Sequence, residues 1–312
     1  MGTNPGDVNR SGVHMSQAAH QFGVSDDQVP AGSATVPVRA MEFDRWVADL
    51  PKYFAAGGDI AMSHVLTVLS STFPEGEKFF VRSVAAVRDQ ITDPKLLADV
   101  EGFIGQEEMH GREHQVLNDR LAAHGYPTCG IDSYVRGLYR VRERMQSKKV
   151  NLAFTAALEH YTATLAELLL TDDDARKAVG RPGARDILTW HALEESEHKA
   201  VAFDVYKAMG GGESMRIFVM LLTDLLFILE TSIMGVISIA MDRDARRHPI
   251  RLARSLARLP QSPFVSVRAV RILAQYHRPG FHPNDRDTRQ LIAEWRQALF
   301  GRDGQLTELL VS

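Results

Sequence analysis

Residues 190–206 read WHALEESEHKAVAFDVY and place His191, Glu195 and His198 at spacings of four and three. An α-helix turns by about 100° per residue, so these three side chains fall within about 60° of one another and can converge on a single point. Leu193, Ala200, Val201, Phe203 and Val205 mark the same segment as largely buried. Unpaired charge is costly there, and coordination to a cation is the usual remedy. The spacing predicts a helix over about 184–209, stopped by Gly210-Gly211-Gly212.

A second stretch repeats the pattern. FIGQEEMHGREH, residues 103–114, carries Glu107, His110 and His114 at offsets 0, 3 and 7, again on one helical face. Two further helices each carry one candidate carboxylate, Glu77 in FPEGEKFF and Glu159 in ALEHY. The expected helices begin near Pro74 and end before Thr92-Asp93-Pro94, then span about 95–124, 133–147 and 150–171. Along the chain the order is Glu, ExxH, Glu, ExxH. That is the ligand order of ferritin-like dinuclear carboxylate proteins, in which two helices supply one Glu each and two supply Glu-x-x-His. The expected fold is therefore all-α, a ferritin-like four-helix bundle with additional C-terminal helices. Four carboxylates and two imidazoles balance two divalent cations, and this oxygen and nitrogen set suits Fe or Mn better than thiolate-seeking metals.

FPEGEKFF, FIGQEEMHGREH, ALEHY, HALEESEHKAVAFDVY and the later YHRPGFHPNDRD together resemble the motifs of the bacterial family of predicted metal-dependent hydrolases, over about residues 40–300. The resemblance implies a metal site more firmly than it implies hydrolysis. The additional His191, giving HxxxExxH, is similar to the third histidine of diiron arylamine N-oxygenases, which are ferritin-like and hold iron through four Glu and three His. Carried over, that resemblance implies Glu77, Glu107, His110, Glu159, His191, Glu195 and His198 as metal ligands. His114 has no counterpart in that pattern, and is expected just outside the metals, orienting a carboxylate or serving catalysis.

Other residues read as structural. Glu75, Glu108, Glu113, Glu194 and Glu197 are rotated off the ligand face and are expected to be solvated or salt-linked. His160 should point away from Glu159, and His64 in AMSHVLTVLSS is expected as a satisfied core histidine. Tyr161 and Trp190 fit either a substrate pocket or plain packing. PGFHPND, with His282, reads as a rigid turn whose residues would also suit a lid.

The chain of 312 residues, 45% hydrophobic and with a net charge of −3, suits one large globular domain and carries no nucleic-acid footprint. Cys129 is the single cysteine, which excludes a disulfide framework and fits a reducing, cytoplasmic compartment. Residues 1–38 read as a disordered leader or a remnant of an expression tag, 39–212 as the dimetal bundle, and 213–312 as a helical extension packed on it. Residues 217–241 are apolar apart from Asp224 and Glu230, long enough to cross a bilayer, but are expected as a buried helix or helical hairpin. The eight Arg and two Asp of 242–271 leave open a peripheral contact with the inner membrane surface through 217–271, which would point to a lipid-like substrate. A homodimer is also left open.

These readings point to a non-haem dinuclear enzyme with two Fe ions, Mn being the other candidate, acting on a small organic molecule. The leading expectation is an oxidase or oxygenase with O2 as co-substrate. The alternatives are a metal-dependent hydrolase using metal-activated water, and a non-catalytic metal-binding protein.

Overall fold

The computed structural model describes residues 36–311. The leader expected over 1–38 lies outside the described residues except at its end, where Val36 and Val38 pack against Gly102 and Gly105. The Val36 carbonyl occupies the space a Cβ at residue 102 would need, 2.2 Å away, so this approach requires glycine.

The described residues form helices and no strand, only an isolated bridge between Met41 and Leu310. In chain order these are α1 (Asp44–Val47), α2 (Ile60–Ala85), α3 (Pro94–Ala123), α4 (Thr128–Met145), α5 (Lys148–Thr171), α6 (Asp173–Val179) and α7 (Pro182–His198). The chain continues through α8 (Val201–Ala208), α9 (Glu213–Met241), α10 (Arg243–Arg247), α11 (Pro249–Arg258), α12 (Val267–Ala274) and α13 (Arg289–Phe300). The fold is all-α and compatible with a ferritin-like bundle built on α2, α3, α5 and α7.

The core is divided along the bundle. One apolar cluster holds Phe79, Phe80, Phe103, Leu152, Phe154 and Val201. The other holds Met62, Leu66, Leu117, Leu169, Trp190 and Leu193. Each long helix thus runs from one cluster to the other, α2 and α7 in one direction and α3 and α5 in the other. The connection from α3 to the parallel α5 must return the length of the bundle, and α4 fills that crossover, as ferritin-like topology requires. Between the clusters every helix presents polar residues inward.

Two helix boundaries differ from expectation. α2 starts at Ile60, where the Asp59 carboxylate accepts from the Met62 amide at 2.9 Å, and Pro74 lies inside the helix. A proline there lacks the N–H that would bond the carbonyl four residues earlier and ordinarily costs about 3 kcal/mol. That carbonyl, on Ser70, instead accepts from Asn118 Nδ2 at 2.9 Å, so a side chain of α3 repairs the defect. The helix expected over 184–209 is two helices, breaking at Lys199-Ala200 directly after His198. α8 buries Val201, Ala202, Phe203, Val205 and Tyr206 and leaves Lys207 and Ala208 exposed.

The apolar stretch also departs from expectation. It is a single helix, α9, long and apolar enough by length and composition to cross a membrane, yet only 22% of its most apolar window is buried. Val219, Met220, Thr223, Met234 and Ser238 face the bundle. Phe218, Leu225 and Val236 are 67%, 64% and 69% exposed.

Candidate metal centre

The structure brings all seven expected side chains into one buried layer. None of Glu77, Glu107, His110, Glu159, His191, Glu195 and His198 is more than 4% exposed. Glu77, His110 and His191 each offer an atom within 4.8 Å of the others, and so do Glu107, Glu195 and His198. Glu159 joins the second group, with His198 Nε2 at 3.4 Å. Glu195 spans the two, its Oε1 lying 2.8 Å from His191 Nε2 and 3.9 Å from His110 Nδ1 while its Oε2 lies 3.5 Å from His198 Nε2. Two neighbouring four-residue pockets therefore share one carboxylate. The motif of α3 is split between them, with Glu107 in one and His110 in the other.

Each imidazole is held by its outer nitrogen. His110 Nε2 bonds Glu194 Oε2 at 3.0 Å, and Glu194 is itself paired to Arg39 at 2.8 Å. His198 Nδ1 bonds Gln106 Oε1 at 2.7 Å, and the Gln106 amide is oriented because its Nε2 donates to the Pro37 carbonyl at 2.7 Å and to Glu197 at 2.9 Å. His191 Nδ1 lies 2.7 Å from His114 Nε2.

The last of these contacts fixes a chain of protons. Asn118 Nδ2 donates to the Ser70 carbonyl, so its Oδ1 accepts from the Ser70 hydroxyl at 2.8 Å. The Ser70 oxygen then accepts from His114 Nδ1 at 2.9 Å, which leaves His114 Nε2 to accept from His191 Nδ1. His191 consequently turns a lone pair, on Nε2, toward Glu77 and Glu195. Burial and the neighbouring His191 keep His114 neutral, its pKa well below the usual imidazole range.

These residues fit metal ions on two observations. Both oxygens of Glu77, Glu107 and Glu159, with His110 Nδ1 and His198 Nε2, are buried without a well-formed hydrogen bond, although His198 Nε2 lies 3.1 Å from Glu107 Oε1, and all face the layer. Native interiors rarely leave such groups unpaired. The electrostatics agree. Burial and like charge push Glu77 and Glu107 well above the carboxylate range, and Glu159 up to about 7. Burial opposes charge on His198, but Glu195, Glu107 and Glu159 together hold it protonated well above its ordinary value. Glu195, likewise buried, is held low chiefly by the charge on His198. A divalent cation supplies the positive charge that the layer otherwise draws from protons.

A cavity of about 450 Å³ reaches this layer at His191 and Glu195. Its walls are almost wholly aliphatic and aromatic, with Leu66, Leu69, Phe73, Leu165 and Leu169 contributed by α2 and α5. Thr162 lines it and donates to Glu195 Oε2 at 2.5 Å. A smaller cavity of about 100 Å³ reaches Glu77 from the side of α4 and α9, and shares Leu69, Phe73, Thr162 and Leu165 with the first.

The residues around the layer divide more finely than the spacing suggested. His114 orients an imidazole, His191, and not a carboxylate. Glu75 pairs with Lys78, Glu113 with Arg112, and Glu108 is exposed. Glu194 and Glu197 are salt-linked to Arg39, but Glu194 is also fully buried and holds His110. His160 points away to the Ile272 carbonyl, and His64 bonds Ser238 Oγ and contacts Asp242. Trp190 packs on Phe43 and His110, whereas Tyr161 bonds Asp224 and borders the smaller cavity. His282 caps the turn at Pro283–Asp285 and bonds Asp204. Asn118, four residues after His114, Ser70, seven before Glu77, and Gln106, four before His110, stand at helical spacing from the site, whereas Arg39 carried no such signal.

A helical bundle whose buried centre gathers carboxylates and pre-oriented imidazoles defines a metal-binding protein. The chain belongs to the family described as predicted metal-dependent hydrolase, whose model matches residues 37–287. Comparison with curated proteins and with solved structures gives no match.

Proposed function

We propose that the buried layer holds two divalent metal ions and that the protein is a metal-dependent hydrolase acting on a largely apolar substrate. Glu77, His110 and His191 would hold one ion, Glu107, Glu159 and His198 the other, and Glu195 would bridge them. The observation that carries this reading is the set of buried, unpartnered ligand atoms on four helices, every imidazole fixed from behind. Bound metals would supply Lewis acidity and bring a water to the pKa range where it is a nucleophile at neutral pH.

The chain's own residues do the rest. The aliphatic cavity takes the apolar part of a substrate and excludes bulk water from the layer. Thr162 fixes one oxygen of Glu195 at the boundary between cavity and layer. His191, His114, Ser70 and Asn118 form a line of polar atoms leading away from the layer, so a proton held at His191 has a defined set of partners. Unequal imidazole content, two in the first pocket and one in the second, would make the two metals inequivalent.

One observation favours a second reading, an O2-dependent oxidase or oxygenase using iron. Beyond the ligands and the hydroxyls of Ser70, Thr162 and Ser262, the cavity offers no polar side chain to steady a leaving group. Such walls also suit a substrate that presents only C–H bonds. Metal analysis followed by two parallel assays separates the readings. The hydrolase is expected to carry close to two metals and to cleave a p-nitrophenyl ester of a medium-chain acid only when loaded. Inertness toward esters and amides, with O2 consumed by the anaerobically reduced iron form, would select the oxygenase. A single retained zinc would overturn the dinuclear proposal.

A further inference from the structure

α9 and the chain that follows it cover the same side of the bundle. α9 roofs the smaller cavity with Phe227, Glu230 and Met234, and residues 259–265 wall the larger one. The two cavities share four residues of α2 and α5, so these two limbs flank a common floor. The deep end of the larger cavity is His191 and Glu195, both buried, whereas its most exposed lining residues are Pro260 and Val265. Its mouth therefore lies on the limb 259–265.

The outward surfaces of both limbs are apolar. On α9, Phe218, Leu221, Leu225, Ile228, Leu229 and Val236 are exposed and fall within about 60° of a single direction. The two carboxylates of this helix do not interrupt that stripe. Asp224 turns inward to Tyr161 and His277, and Glu230 lines the smaller cavity. On the returning limb, Ile250 lies opposite the inward Ser255, and Val265, Val267 and Val270 are at least 60% exposed. Around them stand exposed arginines, among them Arg243, Arg246, Arg254, Arg258 and Arg271, while Asp244 is the one exposed carboxylate of 242–271.

We propose that this face docks on an anionic lipid surface, with α9 lying in the interface plane, and that the mouth at 259–265 takes an apolar-chain substrate from that surface. The second half rests on the function proposed above; the first does not. Charge complementarity chooses the occupant. A second copy seated on the same patch by two-fold symmetry would set arginines against arginines with almost no carboxylate to meet them. A lipid surface bearing phosphate answers both the apolar stripe and the guanidinium rim. α9 does not span the bilayer in this arrangement, because its other face is packed on α2 and α5.

Vesicle flotation of the metal-loaded full chain tests the docking. The chain is expected to float with phosphatidylcholine vesicles in which a third of the lipid is phosphatidylglycerol, and far less with phosphatidylcholine alone. The triple variant Leu225→Asp, Ile228→Asp, Val236→Asp should stay at the bottom of the gradient with unchanged circular dichroism and metal content. Arg246→Gln, Arg254→Gln and Arg258→Gln together should weaken partitioning on the order of 100-fold, at about five-fold per arginine. Absence of flotation with either vesicle overturns the proposal, as does a dimer that the aspartate substitutions convert to monomer. For substrate entry, the aspartate triple variant is expected to slow cleavage of a decanoyl ester presented in vesicles while leaving that of a soluble acetyl ester unchanged. Equal effects on the two would overturn the entry route. Flotation is read without turnover, so a failed hydrolase assay leaves the docking result standing.

Discussion

The layer between the two core clusters and the outer face of α9 invert the usual distribution of polarity in opposite senses. In the first, four carboxylates and three imidazoles are buried in the interior; in the second, leucine, isoleucine, valine and phenylalanine face outward. Burying charge and exposing contiguous apolar surface are both unfavourable in isolation. The two regions nevertheless differ in what the fold invests in them. Every imidazole of the layer is fixed by a second residue, and those residues by a third, as with Arg39 on Glu194 and Ser70 on His114. The α9 stripe is exposed instead, its outward side chains standing between about half and two-thirds free of the bundle. A geometry-demanding partner, a cation, needs the first kind of region, whereas a fluid or broad surface is satisfied by the second.

The largest effect that would break this contrast is expected at the shared carboxylate. Glu195→Ala removes a ligand from both pockets, and metal content should fall at both, with affinity lost by more than the roughly 10–100-fold typical of an outer partner. Retention of two metals in this variant, measured by elemental analysis, would deny Glu195 its bridging place. Next comes the outer line itself. His114→Phe leaves all seven ligands in place but frees the His191 ring, and should weaken metal binding in the pocket of Glu77, His110 and His191 by about 10–100-fold. Titration with metal should then show one site altered and the other near its original affinity. His191→Ala is expected to keep the fold and the metal of the Glu107, Glu159 and His198 pocket.

A smaller effect is the pH response of the metal-free chain. Glu159 holds its proton up to about pH 7 when folded, but releases it near about 4.3 when unfolded. Between these values the folded state binds more protons at this group, so the contribution of Glu159 to the stability of the metal-free protein is greatest below the unfolded value and declines as pH rises through 7, whereas His110 and His114, kept neutral by burial, contribute in the opposite sense. Thermal melts should show the midpoint of the metal-free chain falling relative to that of metal-free Glu159→Gln between about pH 5 and 7.5. The smallest effect belongs to the outer region. Leu225→Ser should change stability by no more than about 0.5 kcal/mol and leave metal content untouched, because its side chain is mostly exposed. A loss of several kcal/mol in chemical denaturation would mean that the stripe is structural after all.

Much of this was legible in the chain. The order Glu, ExxH, Glu, ExxH and the phase of three and four within each helix determine which side chains share a face, because helical periodicity is a local property. The all-α class, the convergence of Glu77, Glu107, His110, Glu159, His191, Glu195 and His198, the core role of His64 and the outward turn of His160 follow from it. What the local pattern could not contain was decided by contacts between distant segments. Pro74 reads as a helix start until Asn118 of α3 is seen to take up the Ser70 carbonyl. The helix of His198 reads as continuous, and its break at Lys199-Ala200 leaves no mark in the local periodicity. Asp224 and Glu230 argue for a buried helix until the bundle is present to draw both inward, leaving the opposite face of α9 apolar and exposed. Whether a charge meets water, a partner or a cation depends on groups far away in sequence, and only the folded chain brings those groups together.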